Sequence, residues 1–307
     1  MQLRFNRRVF SLTVLGSGSS GNCSLIATDK CRVLVDAGIS ARQICRRLES
    51  LQIEPSSLDA VILTHEHADH IMGLDVFSRR FNIPIFTNPL TAETIRRTAV
   101  PEFDCWNLFE TGATFVIKDI EIQSFYVPHD AVDPMSFVFT SDEGAIGYLT
   151  DLGYAPKLVL ERIRKVHTLF IEANHDERLL QEDSKRPWSV KQRILSRHGH
   201  LSNESAGKLV AEVASHNLER VVLGHLSRDC NRPEIALETV QRYGSDSLEY
   251  FCTNQHSVSA RFAVAKCSDG AADVLTIQEQ IDPVDANPYE QSYDQAMFDL
   301  RWHTGHA

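Results

Sequence analysis

A chain of 307 residues, 43% of them hydrophobic, can bury one large core or two modest ones. No run approaches the roughly 18 to 20 apolar residues of a membrane span, and seven cysteines without a C-x-x-C pair exclude a disulfide framework and a zinc knuckle, so a reducing cytoplasm is the expected setting. The net charge of -10 disfavours a polyanionic partner on average, yet residues 273–307 carry -6 of it and leave -4 for the body.

In chain order, apolar runs bounded by Gly, Pro and polar residues predict strands over 9–15, 23–28 and 31–35, a helix over 40–51 and a strand over 58–64. Arg7-Arg8 ahead of an apolar run could open a twin-arginine signal. The run stops at Leu15, before Gly16-Ser17-Gly18-Ser19-Ser20-Gly21, so a buried first strand is expected instead. A helix over 69–81, a short strand after Pro84, a helix over 90–98 and strands over 114–117, 120–127, 136–140 and 145–150 follow. Helices over 156–164, 176–182, 188–197 and 203–215 then interleave with strands over 166–171 and 219–224. A helix over 233–243 and strands over 248–253, 260–265 and 273–277 end the series. This order predicts mixed sheets with helices packed outside, in one domain over 1–280, followed by an acidic tail over 281–307 of little periodicity.

The densest chemistry is His65-Glu66-His67-Ala68-Asp69-His70, directly after a strand-like run. Three imidazoles and a carboxylate on a strand-to-helix turn can aim His65 and His67 at one divalent ion, with Asp69 and His70 reaching a second. A His-rich surface loop is the plain alternative. What argues against it is that three later apolar strands each end on a ligand type, at His129, Asp151 and His225. Seven ligands suit two ions: His65, His67 and His129 for one, Asp69, His70 and His225 for the other, and Asp151 between them. Two such ions, about 3.5 to 4 Å apart, can hold a bridging hydroxide that attacks phosphorus without a protein nucleophile. Asp36, after the strand over 31–35, is expected to hydrogen-bond a ligand or to position the metal loop.

In this order, Asp36, H-x-H-x-D-H, His129, Asp151 and His225 resemble the five motifs of metallo-β-lactamase-fold hydrolases, over about residues 9 to 265. The resemblance implies an α/β fold, the αβ/βα sandwich of two mixed β-sheets flanked by helices, with metals at one edge. Lactamases of this superfamily commonly carry Cys where Asp151 stands, which disfavours antibiotic hydrolysis; flavodiiron oxidoreductases usually carry Glu at the place of His67. The segments around Glu172 and His200 are similar to those of phosphodiesterase members such as ribonuclease Z. By that similarity Glu172 orients His200, and His200 contacts the scissile phosphate or protonates the leaving oxygen, with Asp69 the remaining catalytic carboxylate.

Glu172-Ala173-Asn174-His175-Asp176, Gly199-His200-Leu201-Ser202-Asn203 and Gly224-His225-Leu226-Ser227, with the Gly-Ser loop, look closest to the WalJ (YycJ) branch, which implies a 5′-to-3′ exonuclease on double-stranded DNA. Around the ligands, the Gly-Ser loop with Ser19 and Asn22 either forms an anion nest for a terminal phosphate or makes the turn out of the first strand. Ser227 and Arg228 are candidate phosphate contacts. Lys185, Arg186, Lys191, Arg193 and Arg197, with no acid between Ser184 and His200, either guide a nucleic-acid strand or form a solvated face; Trp188 among them stacks on a base or anchors its helix. The ions are two divalent metals, Zn, Mn or Fe. Two other readings stand beside the nuclease: a glyoxalase-type thioesterase, and a metal-binding regulatory protein without turnover. Oligomeric state is not written in these patterns.

Overall fold

The computed structural model describes residues 9–98, 105–214 and 217–264. Strand formation follows the expected alternation: in β1 (Phe10–Gly16), Phe10, Leu12 and Val14 enter a core shared by two sheets, while Leu15 joins the core under the neighbouring helices. β2 (Cys23–Ala27) and β3 (Arg32–Val35) extend the first sheet antiparallel, and β4 (Ala60–Ile62), β5 (Ile85–Thr87) and β6 (Trp106–Leu108) continue it in parallel. With β14 (Phe262–Val264) on the other edge of β1, this sheet has seven strands in the order β14-β1-β2-β3-β4-β5-β6.

The second sheet also has seven strands and runs β13-β12-β11-β10-β9-β8-β7. Here β7 (Thr114–Ile117), β8 (Ile120–Tyr126), β9 (Met135–Ser141) and β10 (Gly144–Leu149) pair antiparallel, and β11 (Thr168–Glu172), β12 (Arg220–Gly224) and β13 (Glu249–Cys252) add in parallel. Between the sheets lie Phe10, Phe137, Phe139, Tyr148, Phe170 and Val222, with Tyr148 and Phe170 stacked at 4.4 Å between ring centres. Outer cores bury the helices: α1 (Ala41–Ser50) and α3 (Leu74–Phe81) on the first sheet, α5 (Lys157–Ile163), α8 (Asn203–Val213) and α9 (Pro233–Gln241) on the second. The parallel strands β4, β11 and β12 are buried along their whole length, which is why they read as nearly continuous apolar runs. Mixed sheets flanked by helices are the expected architecture.

Some boundaries differ from the expectation. The helix over 69–81 is two, α2 (Ala68–Ile71) and α3, because the chain passes so close to the loop after β3 that a Cβ on Gly73 would sit 2.1 Å from the Ile39 carbonyl. Three-residue β6, Trp-Asn-Leu, has no apolar alternation and is not among the expected strands. α4 (Pro89–Thr98) and α6 (Glu177–Glu182) match, and α7 (Trp188–Ile194) is shorter than expected. The strand over 273–277 and the tail over 281–307 lie outside the described residues. Among those described, no helix is long and apolar enough to cross a membrane.

Candidate metal centre

Parallel strands deliver the site, because their carboxyl ends open on one edge of the sandwich. β3 runs into Asp36, β4 into Thr64 and His65, β10 into Asp151 and β12 into His225, while β11 ends on Glu172. Asp36, Asp151 and His225 all adopt left-handed backbone, with φ of 62°, 53° and 54°. A side chain of any type costs about 1 kcal/mol or more there, Asp and His being among the better tolerated. The surrounding hydrogen bonds hold these turns: His225 N donates to Ser17 Oγ at 2.7 Å, and Asn174 Nδ2 donates to the His225 carbonyl at 3.0 Å.

His65, His67 and His129 form one group, half-exposed only at His67, and Asp69, His70 and His225 another, half-exposed only at Asp69; within each, the ligand atoms lie no more than 4.8 Å apart. Asp151 spans the two. Its Oδ1 is 3.7 Å from His129 Nε2, and its Oδ2 is 3.1 Å from His70 Nε2 and 3.0 Å from His225 Nδ1. All seven expected ligands are thus brought together, and His65, His70 and Asp151 lie as close to one another across the two groups.

Hydrogen bonds on the far side of three of the rings set which nitrogen faces inward. Thr64 Oγ1 donates its one proton to Asp36, so it accepts from His65 Nδ1 at 2.9 Å, and His65 Nε2 is left buried without a partner. His129 Nδ1 donates to the Gly199 carbonyl at 3.0 Å, which leaves its Nε2 facing His67 Nδ1 at 3.3 Å. His70 Nδ1 donates to Asp36 Oδ2 at 2.7 Å, pointing His70 Nε2 at Asp69 and Asp151. Converging ring nitrogens, among them the buried and unpartnered His65 Nε2, together with the Asp69 and Asp151 carboxylates make a donor set that fits divalent Zn, Mn or Fe.

Electrostatics divide the two groups. Burial, with the other imidazoles adding to it, holds His65 well below the ordinary histidine range and His67 down at about 4, so both are neutral and ready to ligate. At His70 and His225 burial opposes the charge, but Asp151 and the neighbouring carboxylates outweigh it; His225 is pushed up to about 10. Asp69 and Asp151 stay ionised, because these histidines overcome the burial that would protonate them.

Beside the bridge, Glu172 is fully buried; its Oε1 accepts from Leu152 N at 2.9 Å and Leu201 N at 2.8 Å, and its Oε2 is 3.1 Å from His200 Nδ1. His200 Nδ1 is also 3.5 Å from Asp151 Oδ1. The carboxylate fixes the imidazole with Nδ1–H inward and Nε2 outward. Burial disfavours charge on His200, yet Glu172 raises it above the ordinary histidine value.

The expected substrate contacts have varied fates. Ser19 is at the exposed tip of the Gly-Ser loop. Asn22 is buried, accepting from Ser17 Oγ and Gly18 N at 3.0 Å while its N donates to the Asp69 carbonyl at 2.8 Å. Ser17, Gly18, Ser20, Gly21 and Asn22 all give their backbone N–H to protein acceptors, so the loop works as the turn that ties β1 to Asp69 and His225. Ser227 is buried and closes a turn onto Cys230 N at 3.3 Å, whereas Arg228 is exposed and bonded to Ser20 Oγ. The motifs carry no mark of the ring-orienting roles of Thr64, of Gly199, or of Thr150, whose Oγ1 donates to Asp151 Oδ2 at 2.7 Å and lies 3.2 Å from His225 Nδ1; Thr64 alone has a signal, in standing between an apolar strand and the first ligand.

Residues 31–226 match the family model described as a beta-lactamase superfamily domain. The chain is 37% identical over 234 residues to "Exodeoxyribonuclease WalJ" of Streptococcus pneumoniae serotype 2, covering 75% of this chain and 87% of that protein. It is 34% identical over 232 residues to "Exodeoxyribonuclease YycJ" of Bacillus anthracis, with the same coverage of 75% and 87%. Among solved structures, the metallo-beta-lactamase fold protein YhfI from Bacillus subtilis superposes with a TM-score of 0.63 at 16% identity, over 82% of this chain and 99% of that one, a likeness of fold alone. Ligand geometry, family model and relatives agree: this chain is a metal-dependent hydrolase that belongs to the metallo-β-lactamase superfamily, in the branch of the WalJ and YycJ exodeoxyribonucleases.

Proposed function

We propose that the protein is a two-metal phosphodiesterase, a 5′-to-3′ exonuclease acting on double-stranded DNA. The observation that carries this reading is Asp151, whose two oxygens face separate histidine groups while the His200–Glu172 pair stands 3.5 Å from one of them. Divalent ions held by the two groups supply Lewis acidity at the phosphate and lower the pKa of a water towards neutrality.

The chain's own residues do the rest. Asp69 Oδ2, 3.5 Å from both His70 Nε2 and His225 Nε2, lies where it can take the proton of the attacking water. Glu172 keeps a proton on His200 Nδ1 and stabilises the imidazolium, so Nε2–H can be given to the departing 3′ oxygen. An imidazole held above its ordinary value remains a competent acid at neutral pH. The choice of DNA and of an exonuclease is supported by the names of the relatives, both exodeoxyribonucleases; the polarity and strandedness follow only from the resemblance of the motifs to the WalJ branch.

End-labelled duplex DNA and RNA, incubated with Mn, with Zn or with chelator, test the proposal through product size and end polarity. Mononucleotide release from the 5′ end of DNA, abolished by chelator and by His67→Ala or Asp151→Ala, is expected. Undiminished cleavage by metal-replete D151A protein refutes the assignment.

A further inference from the structure

The basic segment entering α7 has five cations, and four are committed away from the metal centre. Lys185 pairs with Asp229 at 3.1 Å, and Arg186 with Asp183 at 2.6 Å and Asp229 at 3.1 Å. Lys191, buried, donates to the Gln181 carbonyl at 2.8 Å, and the Arg197 guanidinium lies over the Tyr154 ring at 4.1 Å. Arg193 alone of the five is tied to the site. Its Nε donates to Asp130 Oδ2, and neither Nη group meets an acceptor among the described residues; the side chain is 53% exposed.

Asp130 is the unusual partner. It follows the ligand His129, and its Oδ1 lies 3.3 Å from His129 Nε2, the nitrogen that faces His67, yet that buried oxygen accepts no hydrogen bond. Arg193, with the segment after it, also frames the wall: the Gly199 carbonyl that holds the His129 ring belongs to the loop leaving α7. A half-exposed guanidinium is thus fixed one carboxylate's width from the His65, His67 and His129 group.

We propose that Arg193 clamps the backbone phosphate adjoining the scissile one, and that Asp130 is the positioning residue that aims it; this rests on the phosphodiesterase reading above. With Nε anchored on Asp130, the guanidinium plane is set and its two Nη groups form a fork matching two phosphate oxygens. A lysine supplies the charge without the fork. Asp130 itself would repel a phosphate, so its value lies in direction rather than in attraction.

That opposition of sign supplies the test. Full-length, metal-loaded protein is titrated by fluorescence anisotropy into a 5′-phosphorylated duplex whose terminal linkages are phosphorothioates, over a range of salt. Arg193→Ala is expected to weaken binding about tenfold and to reduce the slope of log Kd on log salt by about 0.9, the loss of one phosphate contact. Arg193→Lys restores the slope but not the affinity. Asp130→Asn weakens binding although it removes a negative charge, and it adds nothing in an Arg193→Ala background. An R193A protein with unchanged Kd and slope, or a D130N protein that binds more tightly than the parent, overturns the proposal. A parent that binds the duplex yet fails to cleave its all-phosphate counterpart overturns the phosphodiesterase reading, and with it the clamp's place beside a scissile phosphate, while the Arg193 and Asp130 variants still decide whether the pair holds a backbone phosphate; a parent that does not bind overturns both.

Discussion

Asp36→Asn isolates the contribution of a residue that touches no ion. The buried carboxylate accepts from Thr64 N at 2.8 Å and Thr64 Oγ1 at 3.0 Å through Oδ1, and from His70 Nδ1 at 2.7 Å through Oδ2. An asparagine keeps the shape and tolerates the φ of 62°, but it has only one accepting atom. Its oxygen stays with the two Thr64 donors, so its NH2 faces His70 Nδ1, and the ring must move its proton to Nε2. That is the atom His70 turns towards Asp69 and Asp151, and a protonated nitrogen cannot ligate. Losing such an outer partner typically costs 10- to 100-fold in metal affinity, about 1.4 to 2.7 kcal/mol. Competition against a chromogenic chelator, with elemental analysis, is expected to give a D36N protein that keeps one ion at parental affinity and binds the other 10- to 100-fold more weakly. Two ions at parental affinity would refute the tautomer argument.

The pH dependence has a definite sign in the metal-free protein. His225 is raised to about 10 and His70 is raised as well, so their protons stabilise the metal-free fold fully below the unfolded histidine value, about 6.5, and that stabilisation is lost as pH rises towards 10. Ions replace those protons, so the Tm gap between loaded and metal-free protein should widen from pH 6.5 to 10, and calorimetry should show proton release on loading. Glu172→Gln removes the charge that holds His200 above its ordinary value, so the alkaline limb of kcat should move to lower pH. An unmoved limb would separate His200 from proton transfer. Gly38→Ala would place a Cβ 1.7 Å from the Asp69 carbonyl, so the metal loop must shift; reduced metal content and a Tm lowered by several degrees are expected in a thermal scan.

Much of the site was legible because its residues announce themselves. His65, His67, Asp69 and His70 are packed into six positions, and His129, Asp151 and His225 each follow an apolar run, a pattern that survives without coordinates. Glu172 and His200 became readable through the motifs around them. The Gly-Ser loop had two readings of equal chemistry, and its N–H groups found their partners in residues as distant as Asn254 and Gln255, which no local pattern reveals. The basic run looked uniform for the same reason: whether Lys191 is buried or Arg193 reaches Asp130 depends on which acids the fold carries alongside.

Sequence by itself determined the apolar periodicity that makes two mixed sheets, and the ligand types at the strand ends, since both are set by which side chains can leave water and which can hold a cation. Tertiary structure alone decided which ring nitrogen faces inward, how Asp151 divides its two oxygens, and which cations stay available. Those outcomes depend on hydrogen bonds between residues far apart in the chain, such as His129 with Gly199 and His225 with Ser17, and only the packed sheets bring such partners within 3 Å.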